Sequence, residues 1–339
     1  MKNLFCKLSF FVLPLLVFCG CQKEKSPVME GEPMEVSLSL KGDFNLDITQ
    51  ESMTKASSAD AYAINVYYDK ESDGVTDNMY AYGLFDNVAD MTITMLSNHK
   101  YKVECTLVKD AKNKLYFGQA FGNTYTGYAY PFQTNVSNST LLNNKFIIGT
   151  ETKFTGMGSG NAHIITTTNP SVNNSTPNAS VNRFYGVTDQ YEPVPNGTIE
   201  VYLKRVVFGA KFVVTGVKEG TLNVACGAFF NKTYSADDAG VEQLYTFSDV
   251  YTCWEKETPF VTTINLQYTS DRPGDLWDIS KSQDISFKRN VMTTVNVKLN
   301  PDLSGALFEI VEEPFDEENT IDLGINTDGY IDIVVKPEN

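Results

Sequence analysis

The sequence predicts an all-β chain of two consecutive β-sandwiches, and three observations carry that prediction. Apolar and polar residues alternate at period two in many short segments, which turns one face of each segment toward a core. Aromatic residues make up 12% of the chain, with 18 Tyr and 21 Phe, and such side chains suit a pleated surface. No stretch carries an amphipathic helical pattern three turns long. Short strands at roughly 8–15 residue spacing, with turn residues between them, describe sandwiches. A length of 339 residues accommodates about two domains of ordinary size.

Lys2 and Lys7 precede an apolar run from Leu8 to Gly20. As a helix that run would rise about 20 Å against a hydrocarbon core of about 30 Å, so residues 1–20 read as a signal peptide and not a spanning helix. The run ends in Phe18-Cys19-Gly20-Cys21, which resembles a bacterial lipobox. That resemblance implies an acylated Cys21 at the mature N-terminus, held in a membrane by several acyl chains. Residues 21–34 combine charge, proline and glycine, and read as a tether.

Val36, Leu38, Leu40, Phe44, Leu46 and Ile48 then alternate with polar neighbours, broken at Gly42, as in a half-buried strand or bent strand pair. Gln50 to Asp60 is a polar linker that contains Thr54-Lys55-Ala56. Strands follow at Tyr62–Tyr68, Met79–Phe85, Met91–Met95 and Tyr101–Val108, with Asp69 to Gly74 as a hairpin connection. The Asn-, Ser-, Thr- and Gly-rich stretch from Asn123 to Asn182 reads as long surface loops.

A second patterned region begins with a strand from Thr198 to Phe208. It continues through Lys211–Val217, Leu222–Phe229, Val261–Tyr268, Gln283–Phe287 and Met292–Leu299. Ile321, Leu323 and Ile325, then Ile331, Ile333 and Val335, alternate in a final strand pair. Tyr191 to Gly197, with two prolines, reads as a stiff linker. The expected division is an N-terminal domain at 35–187 and a C-terminal domain at 188–339.

Function classes narrow from composition. The 27 basic and 42 acidic residues give a net charge of −15, which argues against nucleic acid and anionic lipid as partners. His99 and His163 are the only imidazoles, and no Gly-x-Ser-x-Gly elbow accompanies them. Asp69, Glu71, Asp73, Gly74 and Asp77 imitate the start of a calcium loop, but Tyr80 stands where a bidentate acid is required. Gly156-Met157-Gly158-Ser159-Gly160 lacks the Lys and following helix of a phosphate cradle. No CxxC spacing supports a metal or redox site. Cys105 and Cys226 fall on core-facing strand positions. Cys226 and Cys253 form either a disulfide or, as favoured, buried free thiols. The expectation is a protein with no catalysis, no metal and no cofactor.

The order of these parts resembles the fimbrillin superfamily of Bacteroidales: lipobox, alternating first strand, basic linker, two β domains and a late strand pair. The motifs are Tyr62-Ala63-Ile64-Asn65-Val66-Tyr67, Tyr80-Ala81-Tyr82-Gly83-Leu84-Phe85 and Arg183-Phe184-Tyr185-Gly186. They continue with Val201-Tyr202-Leu203-Lys204-Arg205-Val206-Val207 and Arg289-Asn290-Val291-Met292-Thr293-Thr294-Val295-Asn296-Val297. The resemblance implies two transthyretin-like Greek-key sandwiches in a subunit of cell-surface fimbriae. It also implies partners among other fimbrial subunits or copies of the chain, and a host or bacterial surface ligand. Carried over, Cys21 is the lipid site in the outer membrane, Lys55 and Ala56 flank a processing site, and Val36 to Ile48 is the removable strand. The pair Ile321–Ile325 and Ile331–Val335 is the candidate donor. The rival expectation is a non-polymerising surface lipoprotein that binds glycans through Tyr125, Tyr128, Tyr130 and Phe132.

Overall fold

The computed structural model describes residues 31–42, 59–119, 126–165, 176–238, 240–271, 279–299 and 306–314. The first strands are β1 (Pro33–Gly42), β2 (Ala61–Tyr68), β3 (Asn78–Phe85), β4 (Thr92–Leu96) and β5 (Tyr101–Val108), of which β2 and β3 are buried on both faces. One turn of helix, α1 (Ala111–Lys114), and three short strands follow: β6 (Phe117–Gln119), β7 (Thr126–Tyr128) and β8 (Ile147–Ile148). Two long strands, β9 (Arg183–Tyr191) and β10 (Gly197–Arg205), complete the first sheet, whose order is β4-β1-β10-β9-β5-β2-β3-β8.

This sheet folds over its own core. β10 meets β9 only at Lys204↔Tyr185 and Arg205↔Phe184, so the ladder is short at that corner. On either side of it, Val36, Leu38, Ile199 and Val201 share one apolar cluster with Ile64, Val66, Val103 and Cys105. Hydrogen bonds from Tyr80 Oη to the Thr94 carbonyl (2.7 Å) and from the Leu96 amide to Tyr101 Oη (2.8 Å) tie the two halves together. Both are the polar ends of rings whose bodies lie in the core, the usual way a buried tyrosine is satisfied.

The second half of the chain forms β11 (Val207–Thr215), β12 (Thr221–Cys226), β13 (Phe230–Tyr234), β14 (Val241–Thr246), a helix α2 (Val250–Lys256), β15 (Phe260–Thr269), β16 (Ile279–Phe287), β17 (Val291–Leu299) and β18 (Ala306–Pro314). They make two four-stranded sheets, β14-β11-β17-β18 and β13-β12-β15-β16. Phe208 is the hub of their shared core, with ring centroids of Phe229, Tyr245, Phe247, Phe260 and Phe287 between 4.8 and 5.7 Å away. Phe212 stacks on Phe230 at 3.9 Å. α2 starts where Asp249 accepts from the Thr252 amide at 2.9 Å and ends at Glu257, whose φ of +54° is left-handed.

Several readings of the sequence are corrected. The run Thr198 to Phe208 is not one strand. It divides at Val206, whose amide donates to the Arg183 carbonyl at 2.9 Å, so β10 joins the first sheet and β11 the second. Tyr191 to Gly197 is no linker: it is the hairpin between β9 and β10, closed by the Gly197 amide on the Val194 carbonyl at 2.9 Å. β18, an edge strand, carries Glu309, Glu312 and Glu313 in solvent. β13 and β14 escaped notice because each carries only two or three core-facing residues between polar ones.

The largest correction concerns Asn123 to Asn182. Phe132, Phe154, Met157, Ala162 and Ala179 from this stretch are buried, in the same cluster as Ala63 and Leu84 of the first sheet and Val206 and Phe208 beyond it. The polar composition misleads because the segment is held by side-chain hydrogen bonds from the sheet, not by its own alternation. Asn65, fully buried on β2, takes the Phe154 amide on its Oδ1 at 2.9 Å and gives its Nδ2 to the Phe154 carbonyl at 3.0 Å.

Candidate strand-exchange site

β1 is the element that positions a site. Its alternation puts Val36, Leu38 and Leu40 into the core, while Ser37 and Lys41 face solvent. Each buried aliphatic side chain contributes roughly 1.5–3 kcal/mol by leaving water. On one side β1 runs parallel to β10, in the register Val36↔Gly197, Leu38↔Ile199 and Leu40↔Val201. On the other it runs antiparallel to β4, with Val36 opposite Ile93 and Met34 opposite Met95. Beyond Ser37 that second ladder gives way to a single bond, from the Leu38 amide to the Met91 carbonyl at 2.9 Å.

Removing β1 would therefore leave two facing rows of unpaired backbone groups above a trough lined by Ile93, Met95, Ile199, Val201 and Leu203. Unpaired buried donors and acceptors each cost about 1–3 kcal/mol, and uncovered aliphatic area adds to that. Such a trough would be complementary to an extended chain with apolar residues at alternate positions. Lys41 pairs with Glu200 at the exposed face of β1 and β10, a contact of little weight because both side chains are more than half exposed.

Of the residues singled out from the sequence, Val36, Leu38 and Leu40 come together in this way. Cys21, Phe44, Leu46, Ile48, Lys55 and Ala56 lie outside the described residues, as do Ile321, Leu323, Ile325, Ile331, Ile333 and Val335. The proposed aromatic platform for glycans does not form: Tyr128 and Phe132 are buried in the core, and Tyr130 leans on His163 at 5.9 Å. Tyr125 lies outside the described residues. Tyr128 and Phe132 are core positions.

The remaining chemical candidates act as structural ties. Asp69 Oδ1 accepts the Lys100 amide at 2.6 Å, and its carbonyl lies 3.0 Å from His99 Nδ1, so the acid clamps two adjoining turns. Asp73 accepts the Val75 amide at 2.8 Å. Burial holds His163 below the ordinary imidazole range. Among the described residues no group of three or more His, Cys, Asp or Glu is gathered to hold a metal ion. Cys105, Cys226 and Cys253 are buried free thiols, as favoured from the sequence. Burial raises all three, Cys226 and Cys253 to about 12.

Sequence reasoning missed what Arg183 does. The side chain is fully buried, and its Nε donates to Thr106 Oγ1 at 2.9 Å. Its two terminal nitrogens donate to the carbonyls of Gly156, Met157 and Ser159, the Gly-rich loop. Without a carboxylate at hydrogen-bond distance among the described contacts, burial pulls its pKa down to about 9. The available signal was the period of β9, which puts Arg183 on the same side as the buried Tyr185.

The chain matches no family model and no curated protein. It is similar to solved structures from Bacteroidales. One is a candidate adhesin from Bacteroides thetaiotaomicron, at 10% identity and a TM-score of 0.39, covering 85% of this chain and 99% of that one. The fimbrial anchor protein Mfa2 from Porphyromonas gingivalis is 10% identical with a TM-score of 0.36, covering 84% of this chain and 98% of that one. The C-terminally truncated tip fimbrial protein Mfa3 from Porphyromonas gingivalis is 9% identical with a TM-score of 0.35, covering 84% of this chain and all of that one (100%).

Proposed function

We propose that this chain is a lipid-anchored, surface-exposed subunit of a fimbria, in a stalk or accessory/anchor position, assembling by strand complementation and performing no catalysis. In this reading the two halves are transthyretin-like Greek-key sandwiches, with their boundary at Val206 in place of the expected 187/188. The supporting observation is the position of β1, an N-terminal strand whose first half is paired on both edges and whose three buried side chains seal the first core. A cut after Lys55 leaves that strand held only by ladder bonds and apolar contacts. A partner's strand with the same alternation then replaces it with no further rearrangement of β4 or β10. The alternating segments at Ile321–Ile325 and Ile331–Val335 supply the donor.

Mass spectrometry of the mature protein from cells tests the scheme. A mature N-terminus at Ala56, together with loss of high-mass polymers on deletion of residues 320–339, is the expected result. An acylated Cys21 in every copy leaves either an anchor subunit or a non-polymerising, glycan-binding surface lipoprotein. Polymers unchanged by the deletion overturn the donor assignment.

A further inference from the structure

The two outer faces of the second sandwich differ sharply in charge. Outward positions on β14-β11-β17-β18 carry Lys211, Glu242, Lys298, Glu309 and Glu313, an ordinary mixed surface. On β13-β12-β15-β16, the core-facing residues are Leu222, Val224, Ile264 and Leu266, so the residues between them point outward. Those are Asn223, Asn231, Thr233, Thr263, Asn265 and Gln267, side by side in the registers Asn223↔Thr233, Asn223↔Gln267 and Thr263↔Asp284. Asp284 is the single charge among the described outward positions, and it accepts from Thr263 Oγ1 at 2.7 Å.

We propose that this face binds a neutral, hydroxyl-rich polysaccharide. Amides and hydroxyls each both donate and accept, which is the complement of a sugar's hydroxyl groups. They stand on a grid of about 4.8 Å across strands and about 6.8 Å along them. Asn223 Nδ2 donates to Asn231 Oδ1 at 2.8 Å and to Thr233 Oγ1 at 3.2 Å, so part of the grid is already oriented. In a chain of net charge −15, an anionic polymer is repelled from most directions, while a neutral one meets no charge to strip of water here.

A second copy of the chain fits less well. The four strands, five to ten residues long, span roughly 500 Å², short of the ~800 Å² per partner that stable protein interfaces bury. Among the described residues Val261, 65% exposed, is the only large apolar side chain on the face, so little hydrophobic drive is available.

Affinity electrophoresis of the full chain tests the proposal, with dextran, mannan and a soluble β-glucan as probes and heparin as the anionic control. The double variant Asn265→Glu/Gln267→Glu and the opposite-face variant Lys298→Glu change net charge equally. Retardation by at least one neutral polymer and not by heparin is expected, at least ten-fold weaker in the double variant and unchanged in Lys298→Glu. Thermal melts check that both variants fold; if the first does not, Asn231→Glu/Thr233→Glu on the edge strand takes its place with the same expectation. Absence of retardation by every neutral polymer overturns the proposal, as does equal loss in both variants. A concentration-dependent dimer that only the double variant abolishes, without polymer binding, assigns the face to a second copy and overturns it too. None of these outcomes bears on strand exchange, because β1 lies in the other half of the chain.

Discussion

The Arg183 guanidinium donates to the Met157 carbonyl at 2.6 Å, from a fully buried strand position to a loop 26 residues earlier. With the Gly156 and Ser159 carbonyls it makes a three-point clamp, and with Thr106 it ties the loop to β5. Thr106 itself donates to the Phe184 carbonyl at 3.0 Å, so its hydroxyl oxygen faces Arg183 as an acceptor.

Replacing Arg183 removes its own four bonds and strips the buried Met157 carbonyl of that donor, while the Gly156 carbonyl keeps the Ser159 amide at 3.2 Å. Arg183→Met is expected to cost at least about 3 kcal/mol, since each unsatisfied buried carbonyl costs about 1–3. Arg183→Lys is expected to lose most of the same amount, because a single ammonium lacks the planar fork that reaches several carbonyls at once. Urea denaturation gives the free energies, and limited proteolysis locates the loosened segment between residues 150 and 165. A lysine variant within about 0.5 kcal/mol of the parent refutes the clamp.

The register of β1 makes a sharper contrast between neighbours. Leu38 is buried and Ser37 exposed on the same strand. Leu38→Asp puts a carboxylate into the first core and is expected to abolish cooperative unfolding of that half. Ser37→Asp, opposite Thr198 and Thr92, is expected to shift stability by no more than about 0.5 kcal/mol. Equal effects from the two substitutions exclude the register.

What the sequence made legible follows from period. β1, β4, β5, β12, β15 and β17 alternate over enough residues that burial is written in the order of side chains, and that pattern places Cys105 and Cys226 in the core. The stretch around Phe154 and Met157 could not be read so, because its burial depends on Asn65 and Arg183, far away in sequence. A polar segment pinned by distant polar side chains has the composition of a loop and the environment of a core. The break at Val206 is hidden for a related reason: Val206 and Val207 continue an apolar run past Arg205 while its partners change from β1 and β9 to β14 and β17.

The buried thiols give a chemical prediction. Cys105, Cys226 and Cys253 are each at most 1% exposed, and burial raises their pKa, so the reactive thiolate is scarce at neutral pH. Iodoacetamide at pH 8 is expected to leave all three unmodified in the folded protein and to alkylate all three in guanidinium. Peptide mass mapping reads the result. Rapid alkylation of any of the three without denaturant contradicts its placement.

Tyrosines set the alkaline limit of the fold. Burial raises the phenols of Tyr62, Tyr67, Tyr185 and Tyr245, with the Glu104 carboxylate adding to the effect at Tyr67 and Tyr185; Tyr234 is pushed up to about 12. In the unfolded chain these groups titrate near pH 10. Above that pH the folded state holds more protons than the unfolded one, so stability present below about pH 10 falls as pH rises. Arg183 acts in the opposite sense. Its folded pKa of about 9 lies below the unfolded value, so it adds stability as pH rises above 9, but it is one group against several phenols. Tyrosinate absorbance is therefore expected to rise in two stages, first gradually and then in a cooperative step as the buried rings ionise with unfolding. Circular dichroism followed over the same titration must lose its β signal at the second step. A smooth, non-cooperative titration of all tyrosines around pH 10 with the β signal intact contradicts the burial of these rings.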